Sequence, residues 1–515
     1  MAASSFDAVE TELKFQIPPA RSAALRRAVA TASARVVRLQ ALYVDTADQR
    51  LAAAGLALRL RKEGRVWVQT LKGRGDGLMQ RLEHEVRLPP QRGTPALDPQ
   101  RHAGTPVGEL LAVALAQARE GSAELRTLYR TDIRRLHRRV RHGGALIEIA
   151  HDHGRIDADG RSVAVDEIEF ELVSGPPAAL PALAARWAAR FDLWWDVRTK
   201  SERGLRLALG QDQVPAVKAV AAAPPAGAGP RQAWCTVLQS ALAQALPNAA
   251  EIAAGTDAPE HLHQLRVALR RLRSALRWFA DWSGDAAAAQ ALESDWREPF
   301  GRLGAARDND VLAHGLQPAL QAAGAPPFDA PPAVADGGPG EIVRGMAFTG
   351  LLLRTLATSL PPLQAVDDGG SSALDAAARR VLRRAWRRVL KDAEGFGAAS
   401  AEEQHRTRKR LKRFRYGLEF LLPLLARKPA RRLHRAACAA LDALGHFNDL
   451  HTAERYFRAC AQFDTRAWFA VGWVVGSQPR ARAAAARALA RLARLDASPL
   501  PWRRRGRRRQ RKTSA

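Results

Sequence analysis

The stretch Val9-Glu10-Thr11-Glu12-Leu13-Lys14-Phe15 decides how the first part of this chain folds. On a strand, alternate side chains share a face. Glu10, Glu12 and Lys14 therefore point one way, and Val9, Leu13 and Phe15 the other. The pattern recurs downstream. Arg59 and Arg61 oppose Leu58 and Leu60; Arg81, Glu83, Glu85 and Arg87 oppose Leu82, Val86 and Leu88. Glu148 and Asp152 oppose Ile147 and Ile149; Glu167, Glu169 and Glu171 oppose Ile168, Phe170 and Leu172. Lys72 follows less cleanly, because Val66 and Val68 share its parity.

An antiparallel sheet with one face in water also alternates, but its wet face normally scatters its charges. Here the charged face is dense in carboxylates and Arg, strand after strand. The same face would suit the inside of a barrel that holds a highly charged ligand. Carboxylates bind Mg²⁺ or Mn²⁺ through hard oxygens. Arg and Lys hold phosphate oxygens. Both together are the minimum for metal-assisted attack on a polyphosphate. Patterning alone leaves the sheet and the barrel both open.

The whole chain has 515 residues, with 80 Lys+Arg against 52 Asp+Glu and a formal net charge of +28. A codon bias toward Ala and Arg accounts for richness in Arg, but not for the excess of bases over acids. That excess predicts a polyanionic partner. Cys235, Cys438 and Cys460 show no CxxC spacing and cannot all pair, which argues against a disulfide framework or a zinc site. The N-terminal residues lack a signal-peptide core, and the longest apolar run, near 468–475, is far short of a membrane span. The expectation is a soluble, cytoplasmic protein with no membrane partner.

Strand-like runs occupy the chain to about residue 210, with helical patterns near 19–32, 107–119 and 180–191. The Pro/Ala/Gly-rich segment 211–230 reads as a linker. Residues 231–498 are helical in period, and 499–515 form a basic low-complexity tail. The helical part repeats itself. HQLRVALRRLRSALRWF begins at His263 and HRTRKRLKRFRYGLEFL at His405; LGAARDND follows the first and LGHFNDLH the second. Shared order and helix phase predict a duplicated helical bundle. The fold class expected is α+β: a β-domain with flanking helices over 1–210, then an all-α domain.

The ExExK strand at Glu10, Glu12 and Lys14 resembles the signature of the CYTH superfamily of triphosphate tunnel enzymes. YVDT at 43–46, LRLR at 58–61, LKG at 71–73 and RLEHEV at 81–86 follow in that family's order. So do IEIAHDHG at 147–154, EIEFELVSG at 167–175 and KSERGLRL at 200–207. The resemblance covers nearly all of 5–210. It implies a closed antiparallel barrel of about eight strands around a ligand tunnel. It also implies roles. Glu10, Glu12, Glu169 and Glu171 would hold Mg²⁺ or Mn²⁺. Lys14, Arg59, Arg61, Lys72, Arg135 and Lys200 would hold phosphate oxygens, with Arg134 and Arg138 as alternatives to Arg135. Glu148 and Asp152 would sit near a second metal or the attacking water; with Glu10, Glu12 and Lys14 they make the implied catalytic set. His151 and His153 depart from the apolar or neutral residues usual in that segment, and are expected to flank the site without acting as ligands.

On a helix, His263, Arg266, Arg270, Arg273 and Arg277 form one stripe, and Leu265, Leu269, Leu272, Leu276 and Phe279 another. The second copy gives His405, Arg408, Lys412 and Arg415 against Leu411, Phe414, Leu418 and Leu421. Like charges at helical spacing repel, so the stripes suit a bound polyanion. The repeat resembles the CHAD domain, a pair of helical bundles that binds inorganic polyphosphate. That pairing implies an inorganic triphosphatase acting on tripolyphosphate, with long-chain polyphosphate on the two basic stripes and an association with polyphosphate granules. A non-catalytic granule protein and a nucleic-acid-binding protein are the competing readings; the tail suits the latter, but no basic stripe is interleaved with stacking aromatics.

Overall fold

In the computed structural model, residues 6–75, 77–117, 124–304, 316–329, 337–360 and 369–495 are described. Asp308, in the first LGxxxD segment, and the tail 499–515 lie outside them. The strands are β1 (Phe6–Gln16), β2 (Arg35–Asp45), β3 (Ala57–Glu63), β4 (Val66–Arg74), β5 (Gln80–Arg87), β6 (Arg126–His142), β7 (Ala145–Ala158), β8 (Arg161–Ser174) and the short β9 (Trp194–Trp195). They pair in the order β5-β4-β3-β2-β6-β7-β8-β1, and β1 also pairs β5. This pairing closes an eight-stranded antiparallel barrel. β1 makes the closure by pairing β5 through Phe6–Thr11 and β8 through Glu12–Gln16.

Two hairpins fix the longest strands. Gly143-Gly144 joins β6 to β7 and Asp159-Gly160 joins β7 to β8, all four with positive φ. Two-residue turns of that kind match the twist of antiparallel strands. Outside the barrel, Leu13, Phe15, Ile168 and Phe170 are buried, and the helix Ala179–Phe191 packs on β1, β7 and β8. Phe170 meets Trp187 edge-on at 5.9 Å. Along these stretches the outward apolar half packs under the flanking helix and the charged half faces the bore, while Tyr43, Tyr129, Ile133, Ile156, Ala158 and Val165 make a separate buried apolar cluster against Leu205 and Leu207.

The chain divides into two compact units. The first comprises 1–218, 242–268 and 339–363; the second comprises 219–241, 269–338 and 364–515. This grouping differs from a cut at the 211–230 linker. The reason lies in side-chain ties within the first unit. Asn248 bonds both backbone groups of Val217, His261 reaches the Val214 carbonyl, and Arg206 pairs with Glu251. The helix Met346–Ser359 packs on Ala179–Phe191.

In the second unit, the helices Gly370–Gly395, Ala401–Leu421, Arg427–Cys460 and Trp468–Ala493 each contact the next, and the last contacts the first. They form a four-helix bundle, with Trp386 against Phe414 in its interior. Ser400 and Glu403 make a capping box that starts Ala401–Leu421. Among the described residues, no helix is long and apolar enough to cross a membrane.

Candidate active site

The barrel encloses a cavity of about 530 Å³. Every barrel residue to which the resemblance gives a first role lines it: Glu10, Glu12 and Lys14 from β1, Arg59 and Arg61 from β3, Lys72 from β4, Arg135 from β6, Glu148 and Asp152 from β7, Glu169 and Glu171 from β8, and Lys200 from the helix Lys200–Leu209; Arg87 and Glu167 do not. Parity explains the convergence. In β1, β3 and β8 charged residues two apart share the inward face, as do Glu148 and Asp152, four apart on β7, while cross-strand partners such as Lys14 and Glu169 meet side by side.

Three clusters hold the charges. In the first, Lys72 donates to Glu10 at 2.6 Å and lies 3.2 Å from Glu83, while Arg81 donates to Glu12 at 2.7 Å. In the second, Arg61 pairs with Glu85 at 2.9 Å and with Glu63, and Arg59 donates to the Tyr43 hydroxyl at 3.0 Å. In the third, Lys200 sits between Asp152, Glu167 and Glu169 at 2.6, 2.5 and 2.8 Å. Arg135 clamps both oxygens of Asp152 at 2.7 Å and also reaches Glu169. Lys14 donates to the Arg198 carbonyl. Glu148 meets His137 at 3.1 Å.

Arg135 is the inward guanidinium among the three neighbours considered. Arg134 is exposed, and Arg138 donates to the Ala28 carbonyl. His151 and His153 belong to the outward face of β7, away from the cavity that Asp152 lines. Sequence reasoning left out Arg81, Glu83 and Glu85 as site residues, although their alternation was visible. It also missed Tyr43 and His137. YVDT carried the first; nothing in the sequence marked the second.

The electrostatics separate the carboxylates into two sorts. Burial pushes Glu12 above the usual carboxylate range, and the charges of Glu10 and Glu169 add to it. Burial also raises Glu10, against the pull of Lys72. Burial and the Glu10 charge push Glu171 up to about 7. Glu169 goes the other way: burial alone would raise it, but Lys200 and Arg135 hold it well below the usual range. Asp152 is lowered for the same reason.

Ten Asp and Glu residues and eight Lys and Arg residues line the cavity, a formal balance of 8 − 10 = −2. A phosphate chain would bring several more negative charges into it. With every carboxyl ionised the cavity has no surplus of positive charge, so an added cation would offset the charge of such a ligand. Glu10, Glu12 and Glu171 offer hard carboxylate oxygens of the kind that Mg²⁺ or Mn²⁺ takes. Among the described residues of the bore, the oxygens of Asp152, Glu167 and Glu169 lie within 4.8 Å of one another, with Lys200 between them. The residues present therefore fit a hard divalent cation.

The helical repeat has its own basic groups. Arg273 and Arg277 share Glu293, at 2.8 and 2.7 Å, and Arg415 pairs with Glu419. His405 is exposed and touches Asn448 at 3.3 Å, whereas Arg266 is buried. Burial pushes Lys412 down to about 6, and the charges of Arg270 and Arg408 reinforce it.

A closed antiparallel barrel with a charged bore, followed by a helical region, is the class of protein that the fold defines. Two family models fit it: a CYTH domain over residues 8–193 and a CHAD domain over residues 236–458. The chain thus carries a CYTH domain followed by a CHAD domain. It is 29% identical over 168 residues to the inorganic triphosphatase of Haemophilus influenzae, covering 32% of this chain and 44% of that protein. The chain thus matches less than half the length of that relative. Among solved structures it is similar to the CHAD domain from the plant Ricinus communis (30% identity, 55% of this chain, 97% of that one, TM-score 0.44). It is also similar to a Hippeastrum protein assigned as an adenylyl cyclase and described as having a dominant triphosphatase activity (20% identity, 40% of this chain, 98% of that one, TM-score 0.28).

Proposed function

We propose that the barrel hydrolyses inorganic tripolyphosphate to pyrophosphate and phosphate, and that the helical domain binds long-chain polyphosphate. The observation that supports the first part most is the bore itself. It sets cations and carboxylates face to face around a cavity wide enough for a short phosphate chain.

In this reading, Lys14, Arg59, Arg61, Lys72, Arg135 and Lys200 hold phosphate oxygens. Glu10, Glu12, Glu169 and Glu171 hold the divalent cation, which when bound offsets phosphoryl charge and polarises the phosphorus under attack. Water adds to the terminal phosphorus and gives up a proton to the Asp152 carboxylate, the P–O–P bond breaks, and pyrophosphate leaves. Phosphate oxygens would draw Lys200 and Arg135 away from Asp152. That exchange frees an ionised carboxylate beside the attacking water, with Glu148 as its neighbour on β7.

Phosphate release is the direct test, with tripolyphosphate, long polyphosphate, ATP and thiamine triphosphate, each with Mg²⁺ and Mn²⁺. The expected result is release from tripolyphosphate only when a divalent cation is present. Absence of release with either metal would sink the proposal.

The raised carboxyls make metal binding pH-dependent. A carboxyl pushed up to about 7, as Glu171 is, is mostly protonated below that pH and must lose its proton to bind a cation. Affinity for Mg²⁺ should therefore rise with pH, by about tenfold between pH 6 and pH 8 for one such group. Titration of Mg²⁺ at the two pH values measures it. Equal affinities would remove Glu171 from the ligand set.

A further inference from the structure

We infer that His151, His153 and Asp166 form a second, softer metal site on the outer wall of the barrel, suited to Zn²⁺ or a similar transition-metal ion. His151 and His153 are two residues apart on β7, so both rings leave the same face. Asp166 on β8 is the direct cross-strand partner of His153. The three ligand atoms lie within 4.8 Å of one another. Asp166 Oδ1 is 2.7 Å from His151 Nε2 and 3.6 Å from His153 Nδ1.

Metal–ligand bonds of about 2.0–2.2 Å in a tetrahedron give ligand–ligand edges of roughly 3.3 Å. The His153 edge already fits. The His151 edge must open by about half an ångström, a small side-chain shift. His151 is 3% exposed and held by packing, whereas the His153 side chain is 68% exposed. With His151 fixed, His153 mobile and Asp166 as the third ligand, the solvent side leaves the fourth position to water.

Donor chemistry separates this site from the bore. The bore offers carboxylate oxygens, which suit Mg²⁺ and Mn²⁺. Two imidazoles with one carboxylate suit zinc, copper, nickel or iron. A cation does stand close by, since Arg134 is the cross-strand neighbour of His153 on the same face. It is exposed, so solvent screens it.

The experiment uses the full chain with millimolar Mg²⁺ present to occupy the hard-oxygen sites. Zn²⁺ is titrated in competition with a chromophoric chelator, and melting is followed with and without Zn²⁺. The expected result is one Zn²⁺ per chain and a melting temperature raised by Zn²⁺, since the ion ties β7 to β8 and binds only the folded state. His153→Ala, at an exposed strand position, should weaken that Zn²⁺ by at least about tenfold and abolish the shift. Asp166→Asn should weaken it similarly while keeping the side-chain shape. Failure to take up one Zn²⁺, or equal uptake by His153→Ala and the parent, overturns the inference. Neither outcome bears on tripolyphosphate hydrolysis, which is read separately with Mg²⁺ alone.

Discussion

Glu12→Gln is expected to lower tripolyphosphate turnover by about a thousandfold or more while leaving the barrel folded. Metal stabilisation of a transferring phosphoryl group is worth several kcal/mol, and each 1.36 kcal/mol is roughly a factor of ten. Gln keeps the shape but is a weaker donor to a cation. Two effects on stability oppose each other. Glu12 is a buried carboxylate crowded by Glu10 and Glu169, so its ionised form costs stability near neutral pH. Its loss relieves that cost but leaves Arg81, 2.7 Å away, without its charged partner. The melting temperature should therefore move by no more than about 4 °C. Steady-state phosphate release at saturating metal, with a thermal melt beside it, measures both. Near-normal turnover at saturating metal would remove Glu12 from the metal site. Collapse of the melt would instead assign it a structural role.

Replacing Arg270, Arg273, Lys412 and Arg415 together by Ala is expected to weaken long-polyphosphate binding by at least about tenfold, with helix content retained. Ala is the best helix former. The acid partners are not stranded either: Glu293 keeps Arg277 and Arg297, and Glu419 keeps His434. The full chain is the right material, because residues 242–268 and 339–363 belong to the first compact unit. Polyphosphate and duplex DNA should be compared at equal phosphate and about physiological salt, since counterion release favours both ligands. Polyphosphate should win, because a flexible chain can follow separate basic stripes that a stiff duplex cannot.

Lys412 adds a signature that non-specific binding lacks. With its pKa pushed down to about 6, it is mostly neutral above pH 7. A polyanion beside it restores the ammonium form, so binding should take up a proton and tighten as pH falls from 8 to 6. Calorimetry in buffers of different ionisation enthalpy reads the proton directly. DNA displacing polyphosphate, or an undiminished four-Ala variant, would favour the nucleic-acid reading.

Much of the barrel was legible because a strand writes its two faces into alternate residues. β1, β3, β5, β7 and β8 all show charged residues opposing apolar ones, and their charged faces can be read off by parity alone. β2 and β6 cannot be read this way. In β6, the inward positions Thr131 and Ile133 are less polar than the outward Asp132 and Arg134, and β2 likewise turns Val37, Leu39 and Ala41 inward, the reverse of β1, β3 and β5. Period two says that residues share a face, but not which face is the bore. The two histidines show the same limit. Adjacent in sequence to Asp152, they stand on the opposite side of the wall.

The sequence by itself determined the alternating faces, the helical repeat and the excess of basic residues, because each depends only on local spacing or on counting. Tertiary structure alone decided that β1 closes onto β5, with three strands of chain between them, and that Lys200 reaches Asp152, Glu167 and Glu169 from a helix beyond the barrel. Both depend on pairing register and packing between distant segments, which set which charges meet and so which carboxyls are raised and which are held ionised.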